Sequence, residues 1–436
     1  MTQSPEWVAM ARLVRRTGFG ATGAEVDAAL RTGRGAFVER MLAVRAGTDA
    51  GSRAVPVPTF SPIERVAKNA PKEQKQARNK ARRAQILTLA GWWLRRMTSA
   101  DAPFEEKLTW YWHNHFATSA TKVRSAGALL AQNEMLRRLG RGNFAALGQA
   151  VLIDAAMLYW LDGEKNTVQG ANENLAREFM ELFALGHGSG YTETDVREGA
   201  RALTGWQVRR DGTAALVPRR HDAGAKTVLG VTGNLDQVGF GDAVLAQPAS
   251  ARHVATRMYG QLVSDTPPER ATVDRLVAAY GPDRDLTRLL RAMLLDPSFA
   301  AAADSLVLGP LEWLTGAVRA MGTALDEAGA RKLLPALRGL GQIPFYPPSV
   351  AGWPNGQAWL STAAADVRLR TATELAAKAD LSALEHTAAT GRLDAVGHLI
   401  GVGRWSQRSV AALKPALSRP PELLALALNT PEYLVH

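Results

Sequence analysis

The chain has 436 residues, of which 46% are hydrophobic and 21% are charged, so it can bury a large core. It contains no cysteine, which excludes disulfides, thiolate nucleophiles, cysteine-ligated zinc and iron–sulfur clusters. The 52 Lys and Arg residues outnumber the 41 Asp and Glu residues and give a formal charge of +11, which suits an acidic substrate or partner.

The start of the chain shows no targeting segment. Arg15-Arg16 is reminiscent of a twin-arginine signal, but Gly18, Gly20 and Gly23 follow where such a signal needs an uninterrupted apolar run. No run of about 18 apolar residues, the usual minimum for a membrane-spanning helix, occurs anywhere. We therefore expect a cytoplasmic protein without a membrane span.

A loop and a strongly basic segment make up residues 45–84. Residues 45–62 contain Gly, Ser and three prolines with little periodicity, which predicts a loop. Lys68–Arg83 carries seven Lys or Arg residues and one carboxylate. It lacks the interleaved aromatic residues of a nucleic-acid site, so we expect a solvated, mobile segment that binds no nucleic acid but can contact a protein partner.

Helical periodicity dominates the remaining sequence. Pro103 opens a helix in which Phe104, Leu108, Trp112 and Phe116 recur every four residues and predict a buried stripe. A further helix is predicted over 173–185, with Asn172 as its cap and Gly186 at its end. Other helical patterns cover residues 24–30, 36–42, 85–97, 126–139, 143–161, 193–203, 249–264, 271–280, 285–295 and 309–321.

Two segments break this helical pattern. Residues 206–247 are rich in Gly, and the β-prone runs Ala214–Val217 and Thr227–Val231 predict one hairpin within an irregular insertion. Residues 342–360 form a long loop of Pro, Gly and aromatic residues, which is typical of a functional or tightly packed segment. We predict an all-α fold, one large helical domain over residues 1–436, with a small β-hairpin excursion near 206–235.

The helix predicted over 173–185 carries the most informative polar residues. At about 100° per residue, Asn174, Glu178 and Glu181 share a strip beside the apolar face formed by Leu175, Phe179, Leu182 and Phe183. Carboxylates at a core margin need a partner, because their burial is costly. They bind a metal ion, as their i, i+3 spacing allows, or they form a salt-bridge network with Arg177, Arg197 or Arg201.

Three histidines add candidate chemistry. His113 and His115 lie two positions apart, which places them about 200° apart on a helix, so at most one of them faces a site. His221-Asp222 lies in a polar loop beside several cations, which suits an anionic substrate, a metal or a plain surface turn.

Five ordered motifs together resemble the bacterial domain-of-unknown-function family number eighteen hundred, over nearly the whole chain. The motifs are RLVRRTGFGAT, KLTWYWHNHFATS, NENLAREFMELFALGHGSGYTETDVREGARALTGW, RHDAGAKTVLG and PFYPPSVAGWPNGQAWL. The resemblance implies an all-helical fold and, for many members, export beside a sulfatase-like partner family. It places the motif residues at Asn172–Glu181, His113–His115, His221-Asp222 and Gly352-Trp353.

The leading hypothesis for function is a metal-dependent hydrolase or oxidoreductase. Glu178, Glu181 and either His113 or His115 would bind a divalent ion that activates water. Asn174 would orient the ligand, and His221 and Asp222 would shuttle protons.

Two other hypotheses stay open. A haem-binding oxidoreductase would use His113 as the iron ligand and Arg177 and Arg201 toward the propionates. A non-enzymatic binding or scaffold protein would instead dock its partner through the basic segment and the 342–360 loop.

Overall fold

A computed structural model describes residues 3–63, 66–67, 69–209, 211–303 and 305–436. Over these residues the protein is mainly α-helical, as predicted, with two small antiparallel sheets. Its first helices are α1 (Pro5–Arg16), α2 (Gly23–Thr32), α3 (Arg34–Ala43), α4 (Ala50–Arg53), α5 (Lys72–Ser99), α6 (Phe104–His115), α7 (Ala120–Val123), α8 (Ala126–Leu139), α9 (Phe144–Leu152), α10 (Ala155–Trp160), α11 (Asn174–Glu178) and α12 (Glu193–Ala202).

The second half of the chain adds thirteen further α-helices within the described residues. They are α13 (Gln237–Leu245), α14 (Pro248–Leu262), α15 (Arg270–Tyr280), α16 (Leu286–Leu295), α17 (Pro297–Ala301), α18 (Pro310–Ala320), α19 (Glu327–Gly339), α20 (Thr362–Ala376), α21 (Ser382–Glu385), α22 (Arg392–Leu399), α23 (Gln407–Leu413), α24 (Pro420–Ala427) and α25 (Pro431–Leu434). Short 3₁₀ turns lie at Gly163–Lys165, Pro218–Arg220, Gly356–Trp359, Ala389–Gly391 and Lys414–Ala416.

Helix α6 lies between two clusters of buried apolar side chains and contributes to both. Leu108 and Trp112 belong to the first cluster, and Trp110 to the second. All twelve residues of α6 are buried, so the predicted stripe is buried together with the rest of the helix. The organisation of residues 1–436 as one domain stays a prediction.

A buried ion-pair network anchors α6 to its neighbours. The carboxylate of Glu106 is fully buried and accepts hydrogen bonds from Arg96, Arg137 and the indole of Trp93. Burial opposes ionisation of Glu106, but the two guanidinium groups outweigh it and hold the pKa of that carboxyl below its usual range. The network therefore ties α5, α6 and α8 together through one carboxylate.

The basic segment forms the start of α5. Residues 72–83 continue directly into the apolar part of that 28-residue helix, which begins at Lys72. Lys68, the first cation of the predicted segment, lies outside the described residues. The expected mobility of this segment stays a prediction, but its described part is helical and belongs to a helix that packs against α19.

The polar helix predicted over 173–185 changes its winding midway. After α11 the chain forms a π-helix over Phe179–Ala184, in which Leu185 N donates to Met180 O, five residues back. These wider turns rotate the face that a regular helix would bury. Met180 is therefore fully buried, whereas Leu182, expected on the buried face, is only half-buried.

Four short strands form two hairpins where the sequence predicted one. Strand β1 (Trp206–Val208) pairs with β2 (Ala214–Leu216), and β3 (Lys226–Val228) pairs with β4 (Val231–Gly233). The two β-prone runs thus pair with nearer neighbours instead of with each other. A two-residue turn, Leu229 and Gly230 with φ of 51° and 84°, closes the second hairpin locally.

No helix among the described residues combines the length and the apolar character that crossing a membrane requires.

Candidate functional site

The aromatic loop 342–360 is fastened to α6 by two of the predicted motif residues. The backbone N–H of Phe345 donates to His113 Nε2 at 3.1 Å, and that of Trp353 donates to Asn114 Oδ1 at 2.7 Å. Burial lowers the pKa of His113 to about 3, so its imidazole is neutral and acts as an acceptor. One of the two ring nitrogens that could ligate a metal ion or haem iron is thus already bound to the loop.

His115 points to a different part of the structure. Its Nε2 donates to the carbonyl oxygen of Phe183 at 2.9 Å, and His253 donates to that of Leu182 at the same distance. Both carbonyls belong to the π-helix, whose end leaves backbone acceptors to be satisfied by side chains. The prediction that His113 and His115 diverge agrees with these contacts.

The predicted acidic strip lies at the surface of α11 and the π-helix. Glu181 pairs with His187 Nδ1 at 2.9 Å and accepts a longer bond from Tyr191. Glu178 is half-buried and makes no hydrogen bond within the described residues. Burial and the charge of Glu181 raise the pKa of Glu178. Asn174 is exposed.

The arginines assigned to haem propionates are already paired with carboxylates. Arg177 binds Glu173 and Glu193 at 2.9 and 2.7 Å. Arg201 binds Glu198 and Asp222, each at 2.8 Å. The predicted alternative to a metal site, a network of guanidinium and carboxylate groups, is therefore present in part. Glu178 and Glu181 do not belong to this network.

The His221-Asp222 loop is held by internal bonds. His221 Nδ1 donates to Thr204 O at 2.9 Å, and Asp222 is bound by Arg201. Lys226 is buried and donates to the carbonyls of Asp222 and Gly224. None of these contacts connects His221 or Asp222 with the acidic strip.

No three His, Asp or Glu side chains converge as a metal site in the part of the chain that the structure describes. The predicted metal ligands also bind different partners. His113 binds the aromatic loop, His115 binds the π-helix, and Glu181 binds His187. The metal-dependent enzyme and its haem alternative stay predictions that these contacts do not favour.

A cleft of about 470 Å³ joins the basic segment to the aromatic loop. We call it the arginine cleft; it is lined by Arg82, Arg83, Arg124, Arg338, Ile343 and Tyr346, together with smaller neighbours. Among the described residues no carboxylate lines the cleft, and none forms an ion pair with any of its four arginines. Burial and the charges of Arg78 and Arg124 lower the pKa of Arg82.

The structure also contains a second, enclosed cavity that was not predicted from the sequence. We call it the polar cavity; its polar lining consists of Asn114, Gln261, Asp265, Glu312, Gln342 and Asn355. These residues come from five separate stretches of the chain, so no local motif reveals them. The only available signal was the position of Asn114 and Asn355 inside two of the five family-like motifs.

The geometry defines a mainly helical protein with an arginine-lined cleft and an enclosed polar cavity. The chain belongs to the family described as "Protein of unknown function (DUF1800)", whose model matches residues 12–435. The resemblance carried by the five motifs is therefore confirmed. No curated protein and no solved structure matches the chain significantly.

Proposed function

We propose that this protein binds an anionic ligand, phosphorylated or carboxylated, in the arginine cleft. The observation that carries the proposal is the convergence of four arginines on one cleft that no carboxylate lines in the part of the chain that the structure describes. Guanidinium groups recognise phosphate and carboxylate groups in bidentate geometry, which makes such a cluster a ready anion site. The proposal develops the hypothesis of a non-enzymatic binding protein, in which a partner docks through the basic segment and the 342–360 loop.

Electrostatic repulsion inside the cleft supports the proposal. Burial, and then the charges of Arg78 and Arg124, oppose the protonated form of Arg82, so the guanidinium groups in this region repel one another. Arg124 also adopts a left-handed backbone conformation, with φ of 53°, which is uncommon for a residue other than glycine. Strained residues of this kind concentrate at binding sites, and an anion would relieve the repulsion.

The walls of the cleft indicate what else the ligand carries. Ile86, Ile343 and Tyr346 supply an apolar surface below the guanidinium groups. Burial raises the pKa of Tyr346, so its hydroxyl stays protonated and can donate a hydrogen bond. We therefore expect an organic anion with an apolar portion to bind more tightly than an inorganic anion.

Titration calorimetry with pyrophosphate, citrate and phenyl phosphate tests the proposal. We expect binding that weakens as salt is added, because the attraction is electrostatic. Replacing Arg82 and Arg338 together by Gln should weaken binding at least tenfold, since a hydrogen bond to a charged group contributes about 1.5–3 kcal/mol.

The matched control is Arg408→Gln, which removes an exposed arginine of α23 that lies outside the cleft. This variant should bind the same anions as the unmodified protein does. Anion binding that the Arg82 and Arg338 replacements leave unchanged, or no anion binding at all, would refute the proposal.

A further inference from the structure

The polar cavity lies below the aromatic loop and is separate from the arginine cleft. Asp265 and Asn355 stand at its exposed mouth, and Asn114 and Gln342 lie buried at its inner end. Its inner space is about 10 Å³, which accommodates about one water molecule or one hydroxyl group.

Two buried amides have fixed orientations in this cavity. Gln342 is 5% exposed, and its Oε1 accepts from Leu311 N at 2.8 Å. Asn114 is 7% exposed, and its Oδ1 accepts from Trp353 N at 2.7 Å. Because backbone donors hold both oxygens, neither amide can exchange its oxygen and nitrogen without losing a hydrogen bond.

The NH₂ groups of these amides lack good acceptors. That of Gln342 has no hydrogen-bond partner among the described residues, and that of Asn114 has only a 3.5 Å contact with Gln261. Neither nitrogen is among the fully buried unpaired atoms, so both are open to the cavity, and its inner end favours an occupant that accepts hydrogen bonds. Fixed NH₂ groups of this kind disfavour a metal ion.

Two carboxylates disfavour an anion in the same space. Glu312 is buried and paired with Lys107, and Asp265 accepts from Val307 N at 3.0 Å. A ligand group must therefore accept hydrogen bonds from the amides and donate one to Asp265. A neutral hydroxyl group meets both requirements.

We propose that the polar cavity is a binding site for a neutral polyhydroxylated molecule, a sugar or a polyol, that inserts one hydroxyl group between Gln342, Asn114 and Asp265. Asn355 at the mouth binds an adjacent hydroxyl.

Saturation-transfer NMR and calorimetry with methyl α-glucoside, methyl β-galactoside and myo-inositol test this proposal. At least one of these probes should bind the unmodified protein. Gln342→Glu retains an acceptor for Leu311 N but removes the NH₂ donor, so it should weaken binding at least tenfold. Asn355→Ala, at the exposed mouth, should fold normally and weaken binding several-fold.

Gln407→Glu is the matched control, because it makes the same chemical change at an exposed position outside the polar cavity. It should bind the probes as the unmodified protein does. If none of the three probes binds, the cavity holds only water and the proposal is overturned. Binding of Ca²⁺ or Mg²⁺ that Asp265→Asn abolishes would overturn it equally, because it would identify a cation site.

Discussion

Glu106→Gln is expected to destabilise the protein by about 3–5 kcal/mol, because it leaves two buried guanidinium groups without their carboxylate. The Glu106 carboxylate is fully buried, and its oxygens lie 2.9 Å from Arg96 Nη2 and 2.7 Å from Arg137 Nη2. Replacement by Gln also directs an NH₂ group at donors. The free energy of unfolding in urea measures the loss.

Glu134→Gln provides the control, since Glu134 pairs with the same Arg137 but its side chain is 40% exposed. Its removal should change stability by no more than about 1 kcal/mol. The free energy of unfolding should also depend on pH differently in the two variants. The folded-state pKa of Glu106 is depressed, so its contribution is complete above the ordinary glutamate pKa of about 4.3 and is lost as the pH falls through the folded-state value. Equal stability of the two variants at neutral pH would contradict the network.

Gly352→Ala is expected to release the aromatic loop from α6. Gly352 has φ of 84°, and a Cβ atom there would lie 2.3 Å from Asn114 Oδ1 and 2.5 Å from the Asn114 carbonyl oxygen. Strain and overlap together should cost about 3 kcal/mol or more. Near-ultraviolet circular dichroism should report the altered packing of Trp353 against Trp110.

Gly188→Ala is the control that distinguishes backbone strain from steric overlap of the added Cβ atom. Gly188 also has a positive φ, of 69°, but an added Cβ atom meets nothing within 4 Å. Its replacement should cost only the left-handed backbone penalty of about 1–2 kcal/mol and leave the tryptophan signal unchanged. If Gly352→Ala destabilises the protein no more than Gly188→Ala does, the loop is not fastened as described.

The same loop supplies Tyr346 to the arginine cleft and Gln342 to the polar cavity, so its release should weaken ligand binding at both sites.

The helices were largely predictable because their signals are local. The buried stripe predicted for α6 and the helix predicted over 193–203, which is α12, are both present in the structure. The π-helix was not predictable from a wheel that assumes a constant rotation per residue, and for this reason Leu182 is less buried than expected. The second hairpin was missed because its turn, Leu229-Gly230, is not a typical turn sequence.

The candidate sites were predictable only in part. The charge run and the aromatic loop indicated a binding surface, and the structure places Arg82 and Tyr346 from these two segments in one cleft. The histidine motif predicts a metal or haem ligand, a role that stays a prediction, and spacing did not reveal that His113 and Asn114 bind the backbone of a loop more than 200 residues away. The polar cavity depends wholly on tertiary contacts between distant segments, which spacing along the chain does not encode.

The location of a bound anion tests the central claim most directly. Crystals soaked in tungstate, a phosphate mimic that scatters anomalously, should show an anomalous peak within hydrogen-bond distance of Arg82 and Arg338. The same peak should be lost when pyrophosphate is added in excess. Peaks confined to other surface arginines, with the cleft empty at saturating tungstate, would contradict an anion site between the basic segment and the aromatic loop.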